Sequence, residues 1–498
     1  MNGKIQGIII CTVIAASLAG VMVFLNSTGE DKDKKDSSSQ VSASSEDESV
    51  VILEKSSDEI KEISVENSYC SFKLYSPASG KSVWEIAELS GINQNSTMKN
   101  SMISNCGGLE AKKLVEKNAG DMAKYGLDKP TATFKIAYKD GTETAVDVGT
   151  EAPNERYSYV RIQGSSDVYM VLGSKLSYFT GPFTDFAALT LIDKPSESDW
   201  PEYGVETVTR KDWDYEVVFE NDPKNIEGML SSQVISSPIF SYLNITGSSA
   251  VTHGMWGLTA SGCAVLHPEG EDLAEYGISD PFATVSLKGE GYDYLLKIGN
   301  EVYEKDENGE DTGSPTGYYC YLEGTKGVDA IYTVSMDNLP WATFRIEDVI
   351  SSVMTSNYIV DLSEISIDHN GEKTVYEIES NGSSSNTNED GSTAEVTKVT
   401  CGGKDIDVEN FKSLYQYILT CPTGEIYFEE PEGSCELTIV QQRSDGGSDK
   451  LEFYKDTSRR YIVKLNGKPS FRIQSTWIDT LMKNAENVQK GIAVDENF

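Results

Sequence analysis

Ser96 and Lys99 are the two residues of this chain whose spacing best fits covalent catalysis. In penicillin-binding proteins a Ser-x-x-Lys motif opens a helix, where the serine is the nucleophile and the lysine one turn later accepts its proton. Those enzymes also need a Lys-Thr-Gly strand, and this chain contains no such tripeptide. Ser384-Ser385-Asn386, a weak second motif, lies in a low-complexity stretch. We therefore predict a capped, half-exposed helix here, with a cell-wall-acting serine enzyme as the alternative.

The histidines and the acidic residues form no metal-binding pattern in the sequence. His253, His267 and His369 occur neither in His-Glu-x-x-His nor as a pair at helical spacing, so loop or surface histidines are favoured, although two of them flank Cys263. Asp306–Gly313 places oxygen ligands around a glycine, as calcium loops do, but lacks their alternate spacing and terminal glutamate. We predict a solvated hairpin tip there, and neither a metal nor a cofactor.

A carboxylate pair for glycoside hydrolysis is defined by its separation in space, which a sequence does not give. The chain has 79 acidic residues, so any pair chosen from the sequence would be arbitrary. We therefore assign no catalytic, cofactor-binding or metal-binding residue and expect the protein not to be an enzyme. Another hydrolase stays an alternative.

The overall composition limits the classes of partner. A length of 498 residues predicts two to four domains, and 38% hydrophobic residues suffice for packed cores. The formal net charge of −37 repels phosphate backbones and anionic headgroups, so nucleic acid is excluded as an expected partner. Beyond Cys11 the cysteines are odd in number and irregularly spaced, which favours free thiols over a disulfide framework: Cys70, Cys106, Cys263, Cys320, Cys401, Cys421 and Cys435.

The N-terminal segment is predicted to anchor the chain in a membrane. Ile5–Leu25 is a run of 21 residues without a charge, and a helix of this length spans about 31 Å, which matches a hydrocarbon core. The apolar run continues past Ser17-Leu18-Ala19, a small-residue cleavage signal, so an uncleaved anchor is favoured over a signal peptide. Residues 1–4 would be a cytoplasmic stub, and residues 26–50 a disordered, charged linker.

The orientation of this anchor follows from two opposing signals. Lys32, Lys34 and Lys35 follow the helix, and a count of basic residues would place the long side inside. A short basic N-terminus that holds Lys4 is typical of a signal anchor, and long domains translocate with little regard to charge. We predict a single-pass membrane protein whose body lies outside the cytoplasm.

The remainder of the chain repeats one pattern of hairpin, helix, helix stop and strand meander. Tyr125-Gly126-Leu127 and Tyr276-Gly277-Ile278 are each followed three residues later by proline, a pattern that predicts a left-handed glycine ending a helical turn. Alternating runs follow both stops and end at Gly149 and Gly299. A third copy lacks the stop and keeps the helix and the meander.

These repeats predict an α+β fold in which an N-terminal transmembrane helix precedes three tandem β-rich units. The units are expected at residues 51–200, 201–350 and 351–498, the last one degenerate and with a disordered loop at 380–394. Tandem units build extended surfaces more often than they triplicate an active site. Function is therefore expected where units differ or meet, at Asp306–Gly313, Pro195–Pro201 or Ile350–Asp361.

The doubled Tyr-Gly-Leu/Ile-x-x-Pro motif with its meander, and the tail Arg459-Arg460-Tyr461…Asn466-Gly467, resemble the bacterial exported family known as domain of unknown function 4340. The resemblance is expected over most of residues 51–490 and is strongest in 108–190. It implies an N-terminal anchor and, because some members are encoded beside ABC-type permeases, an accessory role at a transport or envelope complex. It supplies no catalytic residue. The acidic insertion and the degenerate third unit depart from the family pattern.

We accordingly expect a membrane-anchored, extracytoplasmic binding or scaffold protein. Its expected partners are the membrane, through the N-terminal helix, and an ABC transporter permease or an envelope protein.

Overall fold

The computed structural model of this chain describes residues 49–76, 83–153, 156–222, 231–306, 309–384 and 393–495. Their strands form one two-stranded sheet and three large antiparallel sheets. All of these residues belong to one compact unit.

The first large sheet has eight strands and is built by the first third of the chain. The strands of this region are β1 (Val50–Val51), β2 (Ile60–Asn67), β3 (Ser71–Tyr75), β4 (Glu85–Ile86), β5 (Glu110–Ala111), β6 (Lys113–Glu116), β7 (Ala132–Tyr138), β8 (Glu143–Glu151), β9 (Tyr157–Ile162) and β10 (Val168–Leu172). The sheet order is β4-β3-β2-β7-β8-β9-β10-β6, while β1 pairs with β5. Its helices are α1 (Ser96–Cys106) and α2 (Gly173–Thr180), with 3-10 turns at Ser57–Glu59, Ala87–Leu89, Ala123–Tyr125 and Phe183–Phe186.

The second large sheet has nine strands. They are β11 (Val205–Arg210), β12 (Glu216–Asn221), β13 (Gln233–Ser237), β14 (Ser241–Tyr242), β15 (Gly262–Leu266), β16 (Ala283–Gly289), β17 (Tyr292–Lys305), β18 (Asp311–Glu323) and β19 (Ala330–Ser335). Their order is β14-β13-β12-β11-β16-β17-β18-β19-β15. The helices are α3 (Ile245–Thr252), α4 (Gly270–Glu275), α5 (Pro340–Thr343) and α6 (Ile346–Val349), with a 3-10 turn at Met336–Asn338.

The third large sheet has eight strands. They are β20 (Leu362–His369), β21 (Glu372–Ser380), β22 (Val396–Cys401), β23 (Lys404–Ile406), β24 (Cys435–Arg443), β25 (Ser448–Thr457), β26 (Arg460–Leu465) and β27 (Lys468–Gln474). Their order is β23-β22-β21-β20-β24-β25-β26-β27. A 3-10 turn at Ile359–Asp361 precedes them, and the helices are α7 (Val408–Leu419) and α8 (Ser475–Gln489).

The same strand pairing joins the two halves of each large sheet. The first strand of an opening hairpin pairs with the first strand of a four-stranded meander: β2 with β7, β11 with β16, and β20 with β24. Each meander then adds its strands in sequence order. Residues 200 and 350, where the sequence places unit boundaries, lie in the connections between sheets, and the boundaries themselves stay a prediction.

The hydrophobic core lies under one face of each sheet. Strand β7 shows the pattern clearly, because Ala132, Phe134, Ile136 and Tyr138 are buried while Lys135 is exposed. The stacked rings of Phe134 and Phe179 join this face to α2, with centroids 3.9 Å apart. In the third sheet, α7 buries the apolar face that the sequence predicts, with Phe411, Leu414, Tyr415 and Ile418.

The prediction of an α+β fold is wrong, because the described residues are mostly β, with 43% in strands and 21% in helices. Antiparallel sheets need cover on one face only, so short helices and turns suffice to close each core. Among the described residues the longest helix, α8, has 15 residues. The helical patterns in the sequence are genuine, but the hairpins and meanders occupy far more of the chain.

The predicted transmembrane helix falls outside the part of the chain that the structure describes. In the described ranges, which begin at residue 49, no helix is long and apolar enough to cross a membrane. Ile5–Leu25, the cytoplasmic stub at residues 1–4 and the linker up to residue 48 lie outside the described residues. Residues 385–392 of the loop predicted at 380–394 also lie outside the described residues. Ser380, the first residue of that predicted loop, is the last residue of β21.

Candidate functional site

Ser96 and Lys99 lie on α1, and Lys99 is engaged away from Ser96. Asn95 caps the helix by accepting a hydrogen bond from the backbone N–H of Met98. Buried Lys99 donates from Nζ to Trp84 O at 2.6 Å and to Gln94 Oε1 at 3.1 Å, while Ser96 is exposed. Burial lowers the pKa of Lys99, and Glu85 opposes this effect. The predicted capped, half-exposed helix is confirmed. The hydrogen bonds of Lys99 connect this helix to Trp84 and Gln94 in the preceding segment.

The three histidines lie in three different environments. His253 shares a hydrogen bond with Thr252 Oγ1, and burial lowers its pKa. His267 contacts Asp329 Oδ2 through Nδ1 at 2.8 Å, and Ser90 O through Nε2 at 2.9 Å. His369 contacts the Asn370 side chain. Across the described ranges, no group of three His, Cys, Asp or Glu side chains is placed to hold a metal ion.

The seven described cysteines are unpaired. Cys106, Cys320 and Cys421 are buried, and burial raises the pKa of each thiol. A raised pKa keeps a thiol protonated and chemically inert. These side chains therefore behave as small apolar core residues.

The two glycine motifs of the first copy meet in the fold. Gly126 ends the 3-10 turn Ala123–Tyr125 with φ +67, and Gly277 has φ +73, so the predicted left-handed conformation is confirmed at both positions. A Cβ on Gly126 would lie 2.5 Å from Thr150 Cγ2, and one on Gly149 would collide with Tyr125 O. The helix stop therefore packs directly on the end of β8.

The second copy repeats this contact. A Cβ on Gly277 would collide with the Asn300 side chain, and one on Gly299 would collide with Tyr276 O. The Asn300 N–H also donates to Tyr276 O at 2.9 Å. In both copies, glycine at the stop and glycine in the facing strand, Gly149 in β8 or Gly299 in β17, are required for one close approach of two backbones.

A cleft of about 690 Å³ opens beside this contact, between the end of β8, the start of β9 and α2. Its lining is rich in hydroxyl groups and contains one cation and one anion. The lining residues are Thr131, Val148, Gly149, Thr150, Glu151, Arg156, Ser158, Leu172, Gly173, Ser174, Leu176, Ser177 and Thr180. We take this cleft as the candidate binding site.

The start of α2 supplies further polar groups to the cleft. Leu172 occupies the N-cap position, and its side chain cannot accept a hydrogen bond from the first turn. The N–H of Gly173 donates to Arg156 O at 2.9 Å, which holds the arginine backbone against the helix start. Hydroxyl groups, an arginine and helix N-terminal amides all bind polar ligands through hydrogen bonds.

The ionisable side chains of the described lining are Glu151 and Arg156, and it contains neither histidine, cysteine nor lysine. Thr131 Oγ1 and Ser177 Oγ donate to backbone carbonyls, of Val148 and Ser174 respectively. This cleft was not predicted from the sequence. The available signal was Gly149 and Gly173, which flank it, but only the fold brings the two together.

The connection at Ile350–Asp361, where function was expected, holds a buried polar network between the second and third sheets. Asn357 Nδ2 donates to Gln441 Oε1 at 2.7 Å and to Asp449 Oδ2 at 2.8 Å. Tyr242 OH, from β14, donates to Asp449 Oδ1 at 2.7 Å. Hydrogen bonds satisfy these buried groups, which is the arrangement expected of a structural joint.

The acidic segment Asp306–Gly313 forms the tip of a long hairpin. Strands β17 and β18 flank it, and Lys305 pairs with Asp311 across its base. Residues 307 and 308 lie outside the described residues. The insertion thus extends two paired strands.

Comparison with known proteins gives one match. Residues 84–199 match the model of a family described as Domain of unknown function (DUF4340). The predicted resemblance is confirmed for this segment, which includes α1, the stop at Gly126 and every residue of the cleft. The resemblance was expected over a longer range, most of residues 51–490. No curated protein and no solved structure matches the chain.

Proposed function

We propose that this chain is a non-catalytic binding or scaffold protein that works at the outer face of a cell membrane. The observation that carries the proposal is the hydroxyl-lined cleft between β8, β9 and α2. Its groups bind polar ligands without covalent chemistry, and the whole lining lies within the segment that matches the family. Attachment would be through the N-terminal segment, and the partner would be an ABC-type permease or another envelope protein.

The engagement of Lys99 also supports a non-catalytic function. A serine–lysine enzyme needs the amine free to accept a proton from the serine. Here the amine donates to Trp84 O and Gln94 Oε1. Activation of Ser96 would require a hydrogen bond between its hydroxyl and this amine, and none joins the two side chains in the described part of the chain.

The experiment that tests the cleft compares two tryptophan substitutions on exposed helix positions of the full-length chain. Ser177→Trp fills the cleft from α2, whereas Ser104→Trp places the same side chain on α1, away from the cleft. Inorganic phosphate and glucose serve as probes for oxyanion and hydroxyl ligands in a thermal-shift titration. We expect at least one probe to stabilise the native chain and Ser104→Trp, and neither probe to stabilise Ser177→Trp.

Complementation in cells that lack the native copy then links the cleft to function. We expect Ser177→Trp to fail, and Ser104→Trp and Ser96→Ala to succeed. A loss of function in Ser96→Ala, with normal folding and amount of protein, would contradict the proposal and support the serine enzyme. Equal function of Ser177→Trp and the native chain would remove the cleft from the proposal.

Protease treatment of intact cells tests the proposed location. We expect the folded body to be accessible from outside and to stay with the membrane fraction. A body protected in intact cells but cleaved after lysis would contradict an extracytoplasmic position.

A further inference from the structure

An aromatic surface joins the second and third sheets, far from the cleft in sequence. Trp213 and Tyr215 belong to the β11–β12 hairpin, and their rings stack with centroids 5.4 Å apart. Phe344 packs edge-on against Trp213 at 5.2 Å, and Phe428, from the loop before β24, packs against Tyr215 at 5.2 Å. We call Tyr215, Phe428 and the carboxylates beside them, Asp214 and Glu347, the aromatic–acidic patch.

Phe428 is the outermost ring of this row. It is 41% exposed, an unusual position for a phenylalanine, while Tyr215 is half-buried. The rings behind it rest on the core, because Phe344 is buried and also contacts Phe219. The patch is therefore a fixed apolar platform whose outer ring faces solvent.

Carboxylates lie near the Tyr215 hydroxyl. Burial raises the pKa of the Tyr215 hydroxyl, and the nearby charges of Glu347, Asp214 and Asp212 add to this effect, while Arg210 opposes it. Asp212 is neutralised by two hydrogen bonds from Arg210, and Glu347 forms an ion pair with exposed Arg345. Within the described ranges, Asp214 has no ion pair. The patch thus combines an open ring with negative charge.

Two neighbouring rings already hold arginines of the same chain. The Arg210 guanidinium lies 4.3 Å from the Trp213 ring centroid, with the Asp212 carboxylate as its counter-ion. The Arg472 guanidinium lies 4.4 Å from the ring centroid of Tyr427, the residue before Phe428, and pairs with Glu425 and Asp456. Among the described residues, no cation lies over Phe428.

We propose that the aromatic–acidic patch binds an arginine-rich segment of a protein partner. A guanidinium stacked on Phe428, with its N–H groups directed to Asp214 and Glu347, would repeat the arrangement that Arg210 and Arg472 make inside the fold. The net charge of −37 would attract such a segment from a distance and increase its rate of association. This inference does not depend on the cleft, so either can fail alone.

The test uses a synthetic peptide of alternating arginine and glycine as the probe, and calorimetric titration of the full-length chain. The same peptide with citrulline in place of arginine keeps the shape and removes the charge. We expect the arginine peptide to bind and the citrulline peptide not to bind. Phe428→Ala should weaken binding about five-fold, since an exposed cation–π contact contributes about 1 kcal/mol. Asp214→Asn should weaken it by a similar factor.

The control separates the patch from the general attraction of a basic peptide to an acidic protein. Phe428→Ala leaves the net charge unchanged, and Tyr69→Ala removes another exposed ring, 70% exposed, on the first sheet. Equal affinity of native, Phe428→Ala and Tyr69→Ala chains would overturn the proposal. Binding of a neutral oligosaccharide that Phe428→Ala abolishes would overturn it as well, and assign the platform to sugars.

Discussion

Glu206 is a carboxyl group enclosed in the core of the second sheet. It is 0% exposed, and the Trp341 Nε1–H donates to its Oε1 at 2.9 Å. The second oxygen, Oε2, faces the buried surroundings near Tyr203, whose hydroxyl is also enclosed. Burial raises the pKa of Glu206 to about 8, and the hydrogen bond from Trp341 reduces the shift. At neutral pH this side chain is therefore mostly protonated.

Glu206→Gln should remove a pH dependence of stability. The pKa in the folded chain lies above the ordinary value of 4.5, so the stability of the native chain is greatest below that value and falls as the pH rises through about 8. Glutamine keeps the acceptor for Trp341 and cannot ionise. We expect the variant to gain roughly 3–5 kcal/mol over the native chain between about pH 5 and about pH 9, by chemical denaturation at each pH. Parallel curves for the two chains would contradict this.

Gly126→Val should destabilise the first sheet by more than its backbone angle alone requires. A left-handed angle costs a branched residue about 1–2 kcal/mol, and here the added Cβ would also meet Thr150 at 2.5 Å. Gly141 is the matched control, because it has φ +86 and nothing within 4 Å of an added Cβ. We expect a larger loss of unfolding free energy for Gly126→Val than for Gly141→Val. Equal losses would show that the contact has no energetic role.

At the residue scale, a sequence predicts local geometry better than contacts. The Tyr-Gly-x-x-x-Pro spacing predicted positive φ at Gly126 and Gly277, because a left-handed helix end is a local requirement. The sequence did not predict that position 149 must be glycine, because the contact that a Cβ there would make with Tyr125 O joins two separate elements. The burial of Glu206 was hidden for the same reason.

Among the elements, the loop after β15 links the first and second sheets through His267. Its Nδ1 faces Asp329 Oδ2 and its Nε2 faces Ser90 O, so both ring nitrogens face acceptors and the imidazolium is the form that satisfies both. Tyr321 OH donates to the other oxygen of Asp329 at 2.8 Å. The hydrogen bond with Asp329 is the main cause that raises the pKa of His267.

His267 and His253 should titrate in a fixed order. His267 has a raised pKa, and burial lowers the pKa of His253. We expect the ring resonances of His267 in an NMR titration to shift at higher pH than those of His253, with His267→Gln and His253→Gln providing the assignments. Because the folded pKa of His267 is raised, its contribution to stability is complete below about pH 6.5 and is lost as the pH rises through the folded value. The reverse order would rule out the contact with Asp329.

Hairpins and meanders were the most predictable elements. Alternation of buried and exposed residues in β7, and the turn at Gly141 with φ +86, follow from local pattern. The edge strands are less predictable: β6 and β15 come before the meander in sequence and join its far side, a placement that only the complete sheet defines. The cleft depends on such placement, since α2 closes it after β10 has returned along the sheet.

At the scale of the whole molecule, the sheets are joined by buried polar groups. Tyr242→Phe removes the hydrogen bond to Asp449 and leaves Asn357 and Asn466 as donors to that carboxylate. We expect a loss of about 1–3 kcal/mol in unfolding free energy. Calorimetry should show the second and third sheets unfolding together in the native chain, because separating the sheets would remove hydrogen bonds from the buried groups around Asp449. Two separate transitions in the native chain would show that the joint does not couple the sheets.

The fold class was mispredicted because short helices have clearer signals in the sequence than long hairpins. Each short helix has a clear local signal, such as the Asp407 N-cap of α7, whereas a long hairpin such as β17–β18 is interrupted by polar and glycine residues. Helices are therefore easier to recognise in the sequence, although strands are about twice as abundant as helices among the described residues.

The three buried thiols give the native protein an internal set of chemical reporters. Cys106 lies on α1 of the first sheet, Cys320 on β18 of the second, and Cys421 follows α7 in the third, each at most 1% exposed. A thiol reagent reaches such a side chain only when its surroundings open. Mass spectrometry of the peptides that contain these cysteines would give the alkylation rate of each thiol. Each rate would report how often the surrounding sheet opens, in an unmodified chain and without any engineered label.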